Sequence, residues 1–169
     1  MAMTRRQFCH VTTLGGGAAL FSVARPQRML AAGEADALLL SCMDYRLTDE
    51  TARYMAGRGM KDKYDHVVLA GASLGAITTK YRAWGTTFWE HLDVAIALHK
   101  VPKVIVLDHR DCGAYRTILG EDLAGNPSRE MTVHAQQLHA LREAIKKRHA
   151  ALQVELLLMA LDGKVETVA

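Results

Sequence analysis

Two short clusters hold the side chains best placed for metal and acid–base chemistry in this 169-residue sequence. The first reads Ser41-Cys42-Met43-Asp44-Tyr45-Arg46 and the second Asp108-His109-Arg110-Asp111-Cys112-Gly113. Two thiolates and one imidazole form a soft-to-borderline donor set that suits zinc. His109 and Cys112 stand three apart, so a turn helped by Gly113 lets both reach one ion, with Cys42 as the third donor. Three protein ligands leave one tetrahedral position open, which marks a catalytic rather than a structural site. An ion so held lowers the pKa of a bound water from 15.7 toward ~7 when its ligands are neutral, and two thiolates predict a weaker effect. Asp44, if ionised, can orient that water and accept its proton, and a nearby Arg46 favours the ionised form. The candidate metal ligands are therefore Cys42, His109 and Cys112, and the candidate catalytic pair is Asp44 with Arg46. The competing reading is a pair of buried thiols, or a disulfide, beside a core histidine.

Residues this far apart in sequence need a frame that brings them together. Ala37-Leu38-Leu39-Leu40-Ser41 is an apolar run of buried-strand length that ends at Cys42. His66-Val67-Val68-Leu69-Ala70 reads as a second strand, closed by Gly71. Val104-Ile105-Val106-Leu107 reads as a third, ending at Asp108-His109. Helices are expected from about Glu50 to Met55, capped by Thr48 or Asp49; from Trp84 to His99, with Trp84, Phe88 and Leu92 on one face; and from Met131 to Arg148. Gly125-Asn126-Pro127-Ser128 reads as a loop and Gly71-Ala72-Ser73-Leu74-Gly75 as a tight turn. His134, His139 and His149 are expected on the solvated face of the last helix, and His91 and His99 at the surface or an interface. Val154 to Ala160 is a further apolar run. Asp162-Gly163 signals a hairpin that pairs Lys164–Val168 back as a strand. Strands alternating with helices predict an α/β fold with a mostly parallel central sheet, flanking helices and a C-terminal antiparallel strand. Both clusters then fall at the carboxyl ends of strands, where open α/β sheets bind ligands.

The formal charge of +3 is unevenly placed. Residues 1–32 carry Arg5, Arg6, Arg25 and Arg28 and no acid, so the remainder is close to neutral. No basic patch is interleaved with aromatics, which argues against nucleic-acid binding. Thr4-Arg5-Arg6-Gln7-Phe8, the apolar stretch Val11–Ala24 and the small residues near Leu30-Ala31-Ala32-Gly33 have the order of a twin-arginine signal peptide. The expectation is a leader over 1–32 and one zinc domain over 33–169, periplasmic or secreted after twin-arginine export and meeting the membrane only in transit. Only Cys42 and Cys112 remain in the mature part, because Cys9 lies within the leader.

On Cys42, Asp44 and Arg46 together with His109, Cys112 and Gly113, the sequence resembles the β-class carbonic anhydrases. That family has Cys-x-Asp-x-Arg after its first strand and His-x-x-Cys-Gly after a later one. The matching order of elements covers about residues 35–169. The resemblance implies zinc ligation by Cys42, His109 and Cys112, an Asp44–Arg46 pair beside the zinc-bound solvent, and reversible hydration of carbon dioxide to bicarbonate by zinc-bound hydroxide. It further implies a four-stranded parallel core with an added antiparallel strand, and a homodimer or higher homo-oligomer with sites at the subunit interface. Where the family usually carries Arg-Asn-Ala-Gly, this chain has Val68-Leu69-Ala70-Gly71. A more apolar pocket would suit carbonyl sulfide or carbon disulfide, which are hydrolysed on the same scaffold. A non-catalytic zinc-binding or thiol-sensing protein is the remaining alternative. No feature names the group that passes the proton to solvent; His66 and a buffer molecule are the candidates.

Overall fold

The computed structural model describes residues 33–169; the expected leader lies outside the described residues. Five strands form one sheet in the order β2-β1-β3-β4-β5. They are β1 (Ala37–Cys42), β2 (Tyr64–Leu69), β3 (Lys103–His109), β4 (Gln153–Met159) and β5 (Val165–Thr167). The first four run parallel, and β5 returns antiparallel on β4 through Leu157↔Thr167 and Met159↔Val165. Among the described residues no helix is long and apolar enough to cross a membrane.

β1 and β3 are near-continuous apolar runs because both of their faces are covered. Leu38 and Leu40 of β1 pack with Val104 and Val106 of β3 on one face. There they meet Phe88 and Leu92 of α3 (Arg82–His99) and Leu138, Leu141 and Ile145 of α5 (Pro127–Arg148). The alternate residues Ala37, Leu39, Ile105 and Leu107 face Leu47 and Met55 on the other side, where α1 (Thr48–Gly57) lies. Period-two alternation thus divides each strand between two cores.

The helices differ from the expected ones mainly at their starts. α1 begins at Thr48 with Leu47 in the capping position and no side-chain cap, so neither Thr48 nor Asp49 caps it. α5 begins at Pro127, four residues before the expected Met131. Proline suits the first helical turn because its missing N–H would be unpaired there anyway, and the Asn126 side chain accepts from the Arg129 N–H at 3.0 Å. Two short helices replace expected turns: α2 (Ala72–Ile77) and α4 (Gly113–Leu119). α2 follows Gly71, whose left-handed backbone (φ 76°) makes the reversal out of β2.

The topology places the site. From β1 the chain moves through α1 to β2 on one side. The next crossover, through α2 and α3, carries it back past β1 to β3 on the other side. The carboxyl ends of the neighbours β1 and β3 form a topological switch point, where the connections diverge to opposite faces and leave a crevice. Cys42 ends β1 and His109 ends β3.

Candidate metal centre

At that crevice Cys42, His109 and Cys112 converge, with one donor atom from each lying within 4.8 Å of the others. The two sulfurs are 3.8 Å apart and neither is in a disulfide. His109 is buried, and its Nδ1–H donates to the Arg110 carbonyl at 2.8 Å. That bond fixes the tautomer and aims Nε2 at the sulfurs, as an outer partner does for a ligating imidazole. Nε2 itself is buried with no hydrogen-bond partner. A buried nitrogen left without a partner costs free energy unless something fills the gap. The orphaned Nε2 and the two sulfurs therefore fit a soft-to-borderline metal ion.

The charges agree. The Cys112 thiol against the Cys42 sulfur favours the Cys42 thiolate, against the opposing effect of burial; His109 and the Gly71 N–H, 3.3 Å from Sγ, act in the same direction. The same contact, with burial, pushes the Cys112 thiol up. Burial lowers the pKa of His109, but the Cys42 sulfur, the Arg110 carbonyl and the Asp44 charge together outweigh it, and the net shift is upward. The three residues already attract positive charge to one point.

Asp44 and Arg46 sit at the rim, but not on a continued strand. Asp44 caps a single 3-10 turn, Tyr45–Leu47, and accepts the Arg46 backbone N–H at 3.0 Å. Alternating spacing along a strand is therefore not what brings Asp44 and Arg46 to the same side as Cys42. A capped turn folds the Arg46 side chain back, so that Nε and Nη2 both donate to the Asp44 carboxylate at 3.0 and 2.8 Å. These bonds outweigh partial burial and hold the carboxyl at about 2. Asp44 Oδ2 lies 3.8 Å from His109 Nε2. Arg46 also donates to the Asp111 carboxylate at 2.7 Å, so Asp111 supports the pair rather than standing free in solvent.

A cavity of about 400 Å³ opens over the cluster. Cys42, Asp44 and Cys112 form its floor, and Met43, Tyr45, Trp84 and Ile118 are among its apolar walls. Trp84, expected on the same helix face as Phe88 and Leu92, thus borders the site. Val68 and Leu69 do not line the cavity; its apolar character comes from other residues. His66 does not line it either. It lies 2.7 Å from the Ser41 hydroxyl, and burial lowers its pKa.

Sequence reasoning missed a second group, beneath the ligands. Asp108, Ser73, Tyr115 and His134 are all buried and mutually hydrogen-bonded. The expectation that His134 is solvated is therefore corrected. His134, Leu138, Leu141 and Ile145 follow one helical stripe, and that period points the imidazole inward. His139 and His149 are half-buried: His139 meets the Ala169 carbonyl and His149 faces Asp93.

Comparison with known proteins agrees with this geometry. A family model described as "Putative carbonic anhydrase" matches residues 32–169. The chain belongs to this family. A protein of Rickettsia conorii described as uncharacterized is 41% identical over 135 residues, 80% of this chain and 73% of that one. Among solved structures, the carbonic anhydrase of Streptococcus mutans aligns with a TM-score of 0.55 at 15% identity, covering 100% of both chains. Tetrameric β-carbonic anhydrases of Sordaria macrospora align at 0.52 and 15%, covering 81% of this chain and 82% of theirs. A carbon disulfide hydrolase aligns at 0.50 and 14%, covering 80% and 79%. At such identities these likenesses establish the β-carbonic-anhydrase fold.

Proposed function

We propose that the chain is a zinc-dependent carbonic anhydrase that converts carbon dioxide and water to bicarbonate and a proton, reversibly. The observation that carries this reading is the convergence of two sulfurs and an unpartnered imidazole nitrogen on one point, with an ionised carboxylate at its rim. Zinc on Cys42, His109 and Cys112 would supply a Lewis acid that makes water a nucleophile near neutral pH. Asp44 accepts a hydrogen bond from the attacking water at Oδ2, the oxygen nearest His109 Nε2, which aims the water's free lone pair into the cavity. Arg46 keeps that carboxylate ionised and fixes its plane through two parallel N–H bonds. The apolar walls receive an apolar linear substrate, and charged bicarbonate is favoured to leave for solvent.

Stopped-flow measurement of carbon dioxide hydration by the zinc-loaded chain tests the reading, with His109→Ala as control. Acceleration that His109→Ala abolishes is expected; none at any pH between 6 and 9 would overturn it. A second reading, hydrolysis of carbon disulfide or carbonyl sulfide, is favoured by the apolar cavity wall. Turnover of those substrates without carbon dioxide hydration would replace the first reading by the second.

Assembly and location belong to the same proposal. We infer a homodimer or larger homo-oligomer, supported by the family and by the exposed Val68 on the edge strand β2, 48% accessible. Sedimentation giving only an active monomer at micromolar concentration would remove it. The Arg5-Arg6 leader supports export by the twin-arginine route with cleavage near Ala32.

A further inference from the structure

The proposed reaction uses the rim of the crevice and leaves unexplained the buried polar group beneath it. Asp108 is 1% exposed, yet its carboxylate accepts four hydrogen bonds. The Ser73 N–H donates to Oδ1 at 2.9 Å. The Ser73 hydroxyl, the Tyr115 hydroxyl and His134 Nδ1–H all donate to Oδ2, at 2.6, 2.5 and 2.9 Å.

Three of these four residues belong to segments that hold the candidate ligands. Ser73 lies two residues after Gly71, whose N–H donates to Cys42 Sγ. Asp108 immediately precedes His109. Tyr115 lies three after Cys112, and its backbone N–H bonds the Cys112 carbonyl at 3.1 Å. One carboxylate therefore ties the segments that carry His109 and Cys112 to the start of α2, where the Gly71 N–H meets Cys42 Sγ. His134 is the exception, coming from α5. One turn earlier on the same face of α5, buried Glu130 accepts the Asp111 N–H at 2.5 Å and Arg110 Nη1 at 3.2 Å. Asp111 has a left-handed backbone (φ 55°) and itself holds Arg46. α5 thus grips the end of β3 and the residues that follow it at two points, through side chains four residues apart on α5, the spacing that places them on one helix face.

We propose that His134 and Glu130 of α5 are positioning residues for the metal centre, His134 acting through Asp108 on the ligand segments and Glu130 through Asp111 on the Asp44–Arg46 pair. The proposal rests on the zinc reading above. Packing alone does not account for His134, because its Nε2 is buried without a partner; leucine would fill the space without that orphan. What the imidazole adds is the Nδ1–H directed at Asp108.

The test compares His134→Leu, which fills the space without a donor, with His134→Asn, whose amide nitrogen can stand in for Nδ1. Each full chain is titrated with zinc against a chelator, its visible spectrum is recorded with cobalt(II), and the metal-free form is melted. His134→Leu is expected to bind zinc about 10–100-fold more weakly, the range for lost outer partners of metal ligands. Its cobalt d–d bands should shift, and His134→Asn should recover most of both. A lower melting temperature with unchanged zinc affinity and cobalt spectrum would mean a purely structural role and overturn the proposal. Should His134→Leu fail to fold, Tyr115→Phe removes one donor at nearly constant volume. A smaller loss of affinity in the same direction is then expected, and none would overturn the proposal. A wild-type chain that binds neither zinc nor cobalt would remove the zinc reading itself, a result distinct from equal binding by wild type and variants.

Discussion

Gly75 is where the fold can be tested most sharply, because its environment fixes the sign of the effect. A Cβ added there would sit 2.3 Å from the Ala70 carbonyl oxygen, 3.3 Å from its carbon and 3.5 Å from Leu69 Cβ. The oxygen is about 1 Å inside ordinary contact, and it belongs to backbone, which has no rotamer by which to escape. α2 cannot simply shift toward α3, since Ala76 O already lies 2.8 Å from the position of a Cβ on Gly85. Alanine would normally stabilise a helix by about 1 kcal/mol relative to glycine. Overpacking costs ~1–3 kcal/mol, and a backbone obstacle places this case at or above the upper end. The expected result for Gly75→Ala is a net loss of about 2 kcal/mol, a fall in melting temperature of roughly 5–10 °C for a domain of this size. Gly57→Ala, at the end of α1 with nothing within 4 Å, should be neutral or slightly stabilising. Displacing α2 also disturbs the Gly71 bond to Cys42 and the Ser73 bonds to Asp108, so zinc affinity should fall with stability. Thermal melts of both variants with and without zinc make the measurement. A Gly75→Ala chain as stable as wild type would refute the close approach of α2 to the end of β2.

Metal analysis of Cys42→Ser and His109→Ala should show zinc falling from one per chain toward zero; full occupancy in both would refute the ligand assignment. Asp44→Asn should keep zinc and fold but lower turnover by something like 10²–10⁴-fold, the range for a positioned acid–base group. Arg46→Ala should also impair turnover, and the double variant should be little worse than either, because the two residues act as one unit; unchanged turnover in zinc-replete Asp44→Asn would end its catalytic role. Changing Arg5 and Arg6 together to Lys should leave uncleaved precursor in the cytoplasm on fractionation, whereas normal export would count against the twin-arginine route.

The parallel core was legible because β1 and β3 are buried on both faces, and such strands are written as plain apolar runs. The two donor clusters were legible for the same reason: each closes a run, and strand ends are where α/β sheets bind ligands. α2 and α4 were not. Both are short, and glycines at 71 and 113 read as turns when nothing reveals the packing that makes helices of the residues after them. Within Gly-Asn-Pro-Ser, Pro127 reads as a loop residue, although proline is at home in a first helical turn. His134 reads as solvated by residue type, but the helical period places it in the core. The stripe of Leu138, Leu141 and Ile145 on α5 already pointed it inward. Its partner Asp108 offered only a weak signal, an acid at the end of an apolar strand, and Ser73 offered none, since no local pattern distinguishes a serine that meets a carboxylate 35 residues away.

Two carboxylates flank the candidate centre, and their surroundings assign them different tasks. Asp44 is paired with an Arg46 side chain that is 34% exposed, and Arg46 in turn with an Asp111 that is 40% exposed. Exposed pairs of this kind contribute only about 0–1 kcal/mol, so stability is a poor reason for three charged residues to gather at the mouth of an apolar cavity. Orientation of Asp44 toward the point beside His109 Nε2 is the better reason, because bidentate pairing fixes a plane as well as a charge. Asp108 is the reverse case. A carboxylate sealed from solvent is tolerated only when its lone pairs are satisfied, and here four donors satisfy them. Such a group cannot meet substrate, but it resists displacement, since moving any one partner leaves a buried acceptor or donor unmet. The wet carboxylate can exchange partners during a reaction while the dry one holds the His109 and Cys112 segments against the start of α2. That division explains why acids follow and precede the ligands, Asp44 two residues after Cys42 and Asp108 directly before His109, without either being a ligand itself.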